Sequence, residues 1–192
     1  MDGEKIANPA PLGLLGFGMT TVLLNLHNAG ILPSSVVLVA MGFALGGAAQ
    51  IIAGLLEYKK NNVFGATAFT AYGLFWWSLI FIWCNPFGND PATVASMGFY
   101  LLLWGIFTLV MAICTLKHNR ATQIVFFSLA LLFFLLSWSD FLGEDGVIIM
   151  GGLDGKVRTW AGIVGIFCGA SAIYTGLAQV VNHEFGRKVL PL

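Results

Sequence analysis

Six apolar stretches dominate this chain, and each is about as long as the roughly 20 residues that a helix needs to cross a bilayer. Charged residues lie between the stretches or at their ends. Because lipid offers no partner for a free backbone group, a spanning stretch of this kind must be a helix. The sequence therefore predicts an all-α integral membrane protein with six transmembrane helices per protomer. The predicted spans cover about 10–29, 35–56, 63–84, 96–116, 121–139 and 158–181.

The composition excludes several other classes of protein. Charged residues make up 9% of the 192 residues and the formal net charge is zero, whereas a soluble domain is about 25% charged. Such a chain lacks the basic face of a nucleic-acid binder. Its cysteines, Cys84, Cys114 and Cys168, lie in apolar sequence without metal-ligand spacing, which predicts buried and inert thiols. We expect no metal, no cofactor and no nucleic-acid partner.

The segments between the spans are too short to fold separately, so we expect residues 1–192 to form a single membrane domain. The acidic and basic N-terminal sequence, followed by a long apolar stretch, does not predict a cleaved signal peptide. Lys and Arg are concentrated on the cytoplasmic side of membrane proteins. One side would hold seven, against Lys156 and Arg158 on the other, which predicts cytoplasmic N- and C-termini. The seven are Lys5, Lys59, Lys60, Lys117, Arg120, Arg187 and Lys188.

Small residues recur at helical spacing in two of the spans. Such stripes allow helix backbones to approach closely in lipid. With 24 glycines in the chain, they predict a tightly packed bundle or a narrow pore. The stripes are Gly42, Gly46, Ala49 and Ala53 in the second span, and Ala161, Gly165, Gly169, Ala172 and Gly176 in the sixth.

The first span begins with a strong helix-start signal. Asn is a good N-cap, and proline is favoured in the first turn. Free backbone N–H groups and the positive end of the helix dipole can bind a small anion there. Two interpretations remain open, an anion site or simply a well-formed helix start. The residues concerned are Asn8, Pro9, Ala10, Pro11, Leu12 and Gly13.

Two polar side chains deep in the spans need partners. Gln50 lies on the glycine-lined face of the second span, where it would either bond another helix or line a pore. Tyr72 shares a helix face with Gly65, Phe69 and Trp76, and this stripe fits either packing or a binding box. Glu57, beside two lysines at the end of the second span, is expected to be a solvated boundary charge.

Five segments resemble the acetate uptake transporter family, also called succinate-acetate permeases. The resemblance runs almost from end to end, and the loop at Leu142–Asp154 is the part that departs from it. The matching segments are Asn8–Leu14 (NPAPLGL), Gly46–Glu57 (GGAAQIIAGLLE), Asn62–Gly73 (NVFGATAFTAYG), Cys168–Tyr174 (CGASAIY) and Glu184–Leu192 (EFGRKVLPL).

The resemblance implies six helices per subunit, a homohexamer in the cell membrane, and one pathway for acetate, and in some members succinate, through each protomer. It implies a constriction formed by Phe17, Tyr72 and Leu129, and it places Ala172 at a position that affects size selection among monocarboxylates. The depth of the three constriction residues is an independent indication. Each lies eight or nine residues into an outward-running span, about 12–14 Å deep in a core about 30 Å thick.

The leading hypothesis is a permeation pathway for acetate and related small carboxylates, with an apolar neck that excludes hydrated ions. Candidate donors to the carboxylate are the Asn8–Gly13 helix start, Gln50, Thr20, Thr21, Thr67 and Tyr72. An enzyme is disfavoured because no Asp, Glu or His lies in the middle of a span. A membrane sensor or scaffold is a further alternative. The lack of Asp, Glu and His in the middle of the spans also favours a channel over a proton symporter, because proton relays in membranes usually use these side chains.

Overall fold

The computed structural model describes residues 7–142 and 153–192, and every regular element within these ranges is a helix. Six helices are long and apolar enough to cross a membrane. This confirms the prediction of an all-α membrane protein with six transmembrane helices. They are α1 (Ala10–Asn28), α2 (Val36–Lys59), α3 (Val63–Cys84), α4 (Val94–Cys114), α5 (Arg120–Phe141) and α6 (Leu153–Glu184). Lys5 and most of the loop that departs from the family pattern lie outside the described residues.

Short polar side chains start three of the helices. Asn62 accepts the Gly65 N–H at 3.1 Å, Thr93 accepts that of Ser96 at 3.1 Å, and Asn119 accepts that of Thr122 at 2.8 Å. Each bond satisfies a first-turn donor that has no partner inside its own helix. The starts of α3, α4 and α5 are therefore encoded locally.

Helix α2 contains a π-helical stretch, Gly42–Ala49, between two α-helical parts. Glycines in this stretch let the backbone of α2 lie against α3. A Cβ added to Gly46 would come within 2.7 Å of the Trp76 ring, so only glycine fits there without a shift. The small-residue stripe of α2 is thus a packing surface.

Helices α1 and α6 pack along each other, α5 lies between α4 and α6, and α2 packs on α1 and α3. The α6 stripe serves the first of these contacts, because a Cβ on Gly169 would come within 2.7 Å of the Gly18 carbonyl oxygen. The outer surface carries large apolar side chains such as Leu103, which is 68% exposed. Such a surface suits contact with hydrocarbon rather than water.

The last residues of the chain fold back on α6. Asn182 accepts the N–H groups of Val189 and Leu190 at 2.7 and 2.8 Å, and its Nδ2 donates to the Leu190 carbonyl at 2.8 Å. The Tyr174 hydroxyl donates to the Pro191 carbonyl at 2.8 Å. Two α6 side chains thus hold residues 189–191 of the C-terminal motif against the helix.

The prediction of buried thiols is right for Cys168 and wrong for Cys84 and Cys114, which are exposed. Both exposed cysteines are the last residues of their helices, α3 and α4. Apolar neighbours in sequence place a residue near the membrane, but they do not say whether it faces the bundle or its surroundings.

Candidate functional site

A cavity of about 120 Å³ lies at the end of the bundle where α1, α3 and α5 begin. This volume can hold several water molecules or one small carboxylate. Apolar and aromatic side chains form most of its wall, and a few polar groups lie near the helix ends. The lining residues are Ala10, Leu14, Phe17, Gln50, Asn62, Phe64, Gly65, Ala68, Phe69, Tyr72, His118, Thr122, Val125, Phe126, Leu129 and Gln179.

The three predicted constriction residues all line this cavity. Phe17, Tyr72 and Leu129 come from α1, α3 and α5 and are 7%, 3% and 3% exposed. The ring centroids of Phe17 and Tyr72 are 6.2 Å apart. The Tyr72 hydroxyl is 2.9 Å from the Thr108 Oγ1 of α4, which is the partner that a buried phenol requires. The structure brings the three side chains together, while their role as a constriction stays a prediction.

Of the predicted helix-start site, Ala10 lines the cavity. Asn8 connects three elements: its Nδ2 donates to Gln179 Oε1 at 2.8 Å, and its Oδ1 accepts from Lys60 Nζ at 3.1 Å and from the Ala10 N–H at 3.3 Å. The Gly13 N–H donates to the Pro9 carbonyl at 3.3 Å. These bonds use much of the donor capacity of the first turn. The lining does not include Pro9, Pro11, Leu12 or Gly13.

Gln50 lines the cavity, and its Nε2 donates to the Gly46 carbonyl of its own helix at 2.6 Å. The predicted threonines lie elsewhere. Thr20 is buried and donates to the Gly16 carbonyl at 2.8 Å, Thr21 is buried, and Thr67 is half-buried. None of the three belongs to the described lining of this cavity.

Ala172 is completely buried in the core of the bundle and does not line the cavity. It lies one turn after Cys168, whose thiol is 3.5 Å from the carbonyl of the lining residue Val125. Any effect of Ala172 on the cavity would therefore pass through the packing of α6 against its neighbours, α1 and α5.

No sequence motif predicts the polar mouth of the cavity, which consists of Asn62, His118, Thr122 and Gln179. These residues come from the segment before α3, from the segment before α5, from α5 itself and from α6. The Asn62 cap was the one available signal, since an asparagine three residues before Gly65 is a helix-start pattern. The others share no sequence neighbourhood, so only the fold brings them together.

The expectation of a solvated Glu57 is wrong. Its side chain is 0% exposed, Asn62 Nδ2 donates to its Oε2 at 2.8 Å, and Lys60 Nζ is 3.6 Å from the same oxygen. Its Oε1 has no hydrogen-bond partner within the described part of the chain. The physical reason is the close approach of the glycine at 65, where an added Cβ would lie 3.1 Å from the Glu57 carboxyl carbon. The carboxylate is thus buried behind a residue that lines the cavity.

A second cavity, of about 420 Å³, lies at the opposite end of the bundle, where α1 and α3 end and α2 begins. Arg158 of α6 belongs to its wall and donates through Nη2 to Asp140 of α5. Asp140 is 7% exposed, whereas Arg158 is 46% exposed. The lining residues are Leu24, His27, Asn28, Ser34, Ser35, Leu38, Val39, Trp83, Cys84 and Arg158.

Six helices able to cross a membrane, with a small and mainly apolar cavity beneath a polar mouth, define a multi-pass membrane protein with an internal cavity of small-molecule size. Among residues 7–142 and 153–192, no group of three or more His, Cys, Asp or Glu is arranged to hold a metal ion. The chain matches the GPR1/FUN34/yaaH family over residues 1–191 and belongs to that family. The family predicted from the five sequence segments is thereby confirmed.

Two relatives of this chain and one solved structure carry the names of transport proteins. The chain is 51% identical to the succinate-acetate/proton symporter SatP of Escherichia coli, with 100% of this chain and 98% of that protein covered. It is 32% identical to acetate permease A of Emericella nidulans, with 100% of this chain and 67% of that protein covered. The structure of the bacterial acetate channel SatP superposes with a TM-score of 0.91 at 51% identity, over 98% of this chain and 99% of that one.

Proposed function

We propose that this protein is a permeation pathway for acetate and related small carboxylates, succinate among them, through each protomer of a cell-membrane assembly. In this proposal it is a transport protein rather than an enzyme, a sensor or a scaffold, and residues 1–192 act as one membrane domain. The observation that carries the proposal is the cavity in which Phe17, Tyr72 and Leu129 meet below a polar mouth. The names of the relatives support the substrate class.

Acetate has a charged end that needs hydrogen-bond donors and a methyl end that does not. The amides of Asn62 and Gln179, the Thr122 hydroxyl and the His118 ring are donors of suitable kind at the mouth. Further in, Gln50 is one polar group in an otherwise mainly apolar wall. A hydrated inorganic ion would lose its water there without replacement, so an aromatic and aliphatic neck favours the organic anion.

The sidedness follows from the distribution of Lys and Arg, which favours cytoplasmic termini. In that orientation the 120 Å³ cavity is the cytoplasmic one, and the cavity beside Arg158 opens on the outer side. Acetate taken up from outside would therefore meet the Arg158 cavity first and the neck later.

We propose channel-like conduction as the mechanism, because the neck residues Phe17 and Leu129 carry no ionisable group and Tyr72 is a poor proton carrier at neutral pH. A proton-coupled symporter is the second candidate, and one observation favours it. Glu57 is a buried carboxylate one hydrogen bond, 2.8 Å long, from the cavity-lining Asn62. Buried acidic groups in membrane proteins are typical of proton pathways.

Transport measurements in proteoliposomes distinguish the two mechanisms. With the voltage clamped at zero, equal acetate on both sides and an inward proton gradient alone, a channel gives no net accumulation beyond the leak of protein-free liposomes. A symporter accumulates acetate under the same conditions. With a voltage alone, a channel carries acetate without accompanying protons. Absence of protein-dependent acetate flux under every condition would contradict the proposed function itself.

A further inference from the structure

The cavity beside Arg158 contains a charged group that the proposed neck does not use. Arg158 is the one permanently charged residue among those that line it in the described part of the chain. The rest of the wall includes the hydroxyls of Ser34 and Ser35, the Asn28 amide and the His27 ring. A cavity of about 420 Å³ with these donors is far more polar than the neck, and its chemistry suits an anion.

The two residues of the Arg158–Asp140 ion pair differ in their exposure. Asp140 is 7% exposed and fixed in the bundle, while the Arg158 side chain is 46% exposed. A guanidinium has five N–H donors, more than one carboxylate can use. The buried partner therefore holds the guanidinium at the cavity wall with N–H donors to spare.

We propose that Arg158 forms a carboxylate-binding site at this mouth, with Asp140 as the residue that positions it. The ligand class is a small mono- or dicarboxylate, because a guanidinium binds a carboxylate through two parallel hydrogen bonds. The site rests on the proposed function for its role, since it collects the substrate before the neck. As a binding site for anions, however, it is testable without any transport.

Cys84 provides the test, since it is an exposed thiol that lines the same cavity. In a Cys114→Ser background, the rate of Cys84 modification is measured with two methanethiosulfonate reagents, one carrying a sulfonate and one a trimethylammonium group. A positive charge nearby concentrates the anionic reagent. We expect Arg158→Gln to slow the sulfonate reagent by roughly three- to fivefold and not to slow the cationic one.

Three further variants separate charge from folding. Arg158→Lys keeps the charge and should stay within about twofold of the parent rate with the sulfonate reagent. Asp140→Asn removes the neutralising carboxylate and should raise that rate. Lys156→Gln removes an exposed charge two residues away that does not line the cavity, and it should change neither rate.

Binding of the substrate class is measured in the same assay. Acetate or succinate should protect Cys84 from the sulfonate reagent in the parent protein, and Arg158→Gln should lose that protection. In transport, Arg158→Gln should raise the half-saturating acetate concentration about fivefold and leave the maximal rate within about twofold.

Equal reagent rates in Arg158→Gln and its parent, together with unchanged rates in Asp140→Asn, would overturn the proposal. The ion pair would then only fasten α5 to α6. If the sulfonate reagent modifies Cys84 at a rate that depends on Arg158 as expected, but no acetate flux is found, the anion site stands and the proposed function is contradicted. Failure of the anion site and failure of the proposed function are therefore distinguishable.

Discussion

At the scale of single residues, the proposed neck consists of side chains from three helices that line one cavity. Phe17 and Tyr72 have ring centroids 6.2 Å apart, and Tyr72 and Phe126 have centroids 6.2 Å apart. Only the Tyr72 hydroxyl is polar, and Thr108 satisfies it. In the proposed pathway, an ion that leaves its water behind would find little to replace it here, which is the physical basis of the proposed selection by dewetting.

Shortening a neck side chain tests this directly. Phe17→Ala and Tyr72→Ala should raise the flux of hydrated inorganic anions relative to acetate, because the removed rings leave space for water. Phe167→Ala, which removes a 58% exposed ring from the outside of α6, is the matched control and should behave like wild type. Flux of radiolabelled acetate and chloride in the same proteoliposomes is the measurement. Wild-type discrimination in both neck variants would contradict the assignment.

Glu57 decides between the two mechanisms at the level of one side chain. In a symporter, Glu57→Gln should abolish acetate accumulation driven by a pH gradient while sparing exchange of labelled acetate, because the amide cannot carry a proton. In a channel, the variant should conduct acetate as wild type does, since an amide of the same shape keeps the bond to Asn62. Glu184→Gln, at an exposed carboxylate, is the control.

At the scale of the helix, the π-helical stretch of α2 packs so closely on α3 that Gly46 has no space for a larger side chain. Gly46 lies against the Trp76 ring, and its carbonyl oxygen accepts the Gln50 side chain. Stretches of π-helix are often found at functional sites. Here the stretch places Gln50 in the cavity wall while α2 remains in close contact with α3.

A larger side chain at Gly46 should destabilise the protein. Gly46→Val should lower the unfolding temperature in detergent and reduce flux, because overpacking costs about 1–3 kcal/mol. Ala44→Val adds similar bulk to the exposed face of the same stretch and should have little effect. Thermal unfolding followed by size-exclusion chromatography gives the comparison, and equal stability of the two variants would contradict the packing role.

Enlarging the buried Ala172 of α6 also tests a packing contact, and here the measurement is selectivity among monocarboxylates. We expect Ala172→Leu to slow acetate and to slow larger monocarboxylates more, because added bulk at this fully buried position would shift α6 relative to the helices on which it packs, α1 and α5. The control is Ala170→Leu, on the exposed face of α6. Equal slowing of acids of every size, together with reduced stability, would show that Ala172 serves packing alone.

At the scale of the whole molecule, the proposed assembly is a homohexamer. Large exposed apolar side chains such as Phe99, Leu103 and Val110 on α4 offer surfaces to lipid or to another copy. Native mass spectrometry in mild detergent should show a mass six times that of the 20.6 kDa chain. A stable monomer with full acetate flux would remove the need for the hexamer and leave the pathway within each protomer intact.

Much of the fold could be predicted from the sequence because a bilayer imposes one dominant rule. Each apolar stretch had to become a helix long enough to cross, and short caps such as Asn62, Thr93 and Asn119 start helices through bonds within four residues. The family resemblance predicts Phe17, Tyr72 and Leu129 as one set, their similar depth agrees with it, and all three line one cavity.

By itself, then, the sequence determined the six membrane helices, the starts of α3, α4 and α5, and the family. Tertiary structure alone decided the rest, namely the burial of Glu57, the pairing of Asp140 with Arg158, the exposure of Cys84 and the convergence of Asn62, His118, Thr122 and Gln179 on one mouth. The reason is physical. The hydropathy of a helix depends only on the residues of that helix. Burial and pairing depend instead on how each helix is rotated against its neighbours, through contacts between residues far apart in the chain.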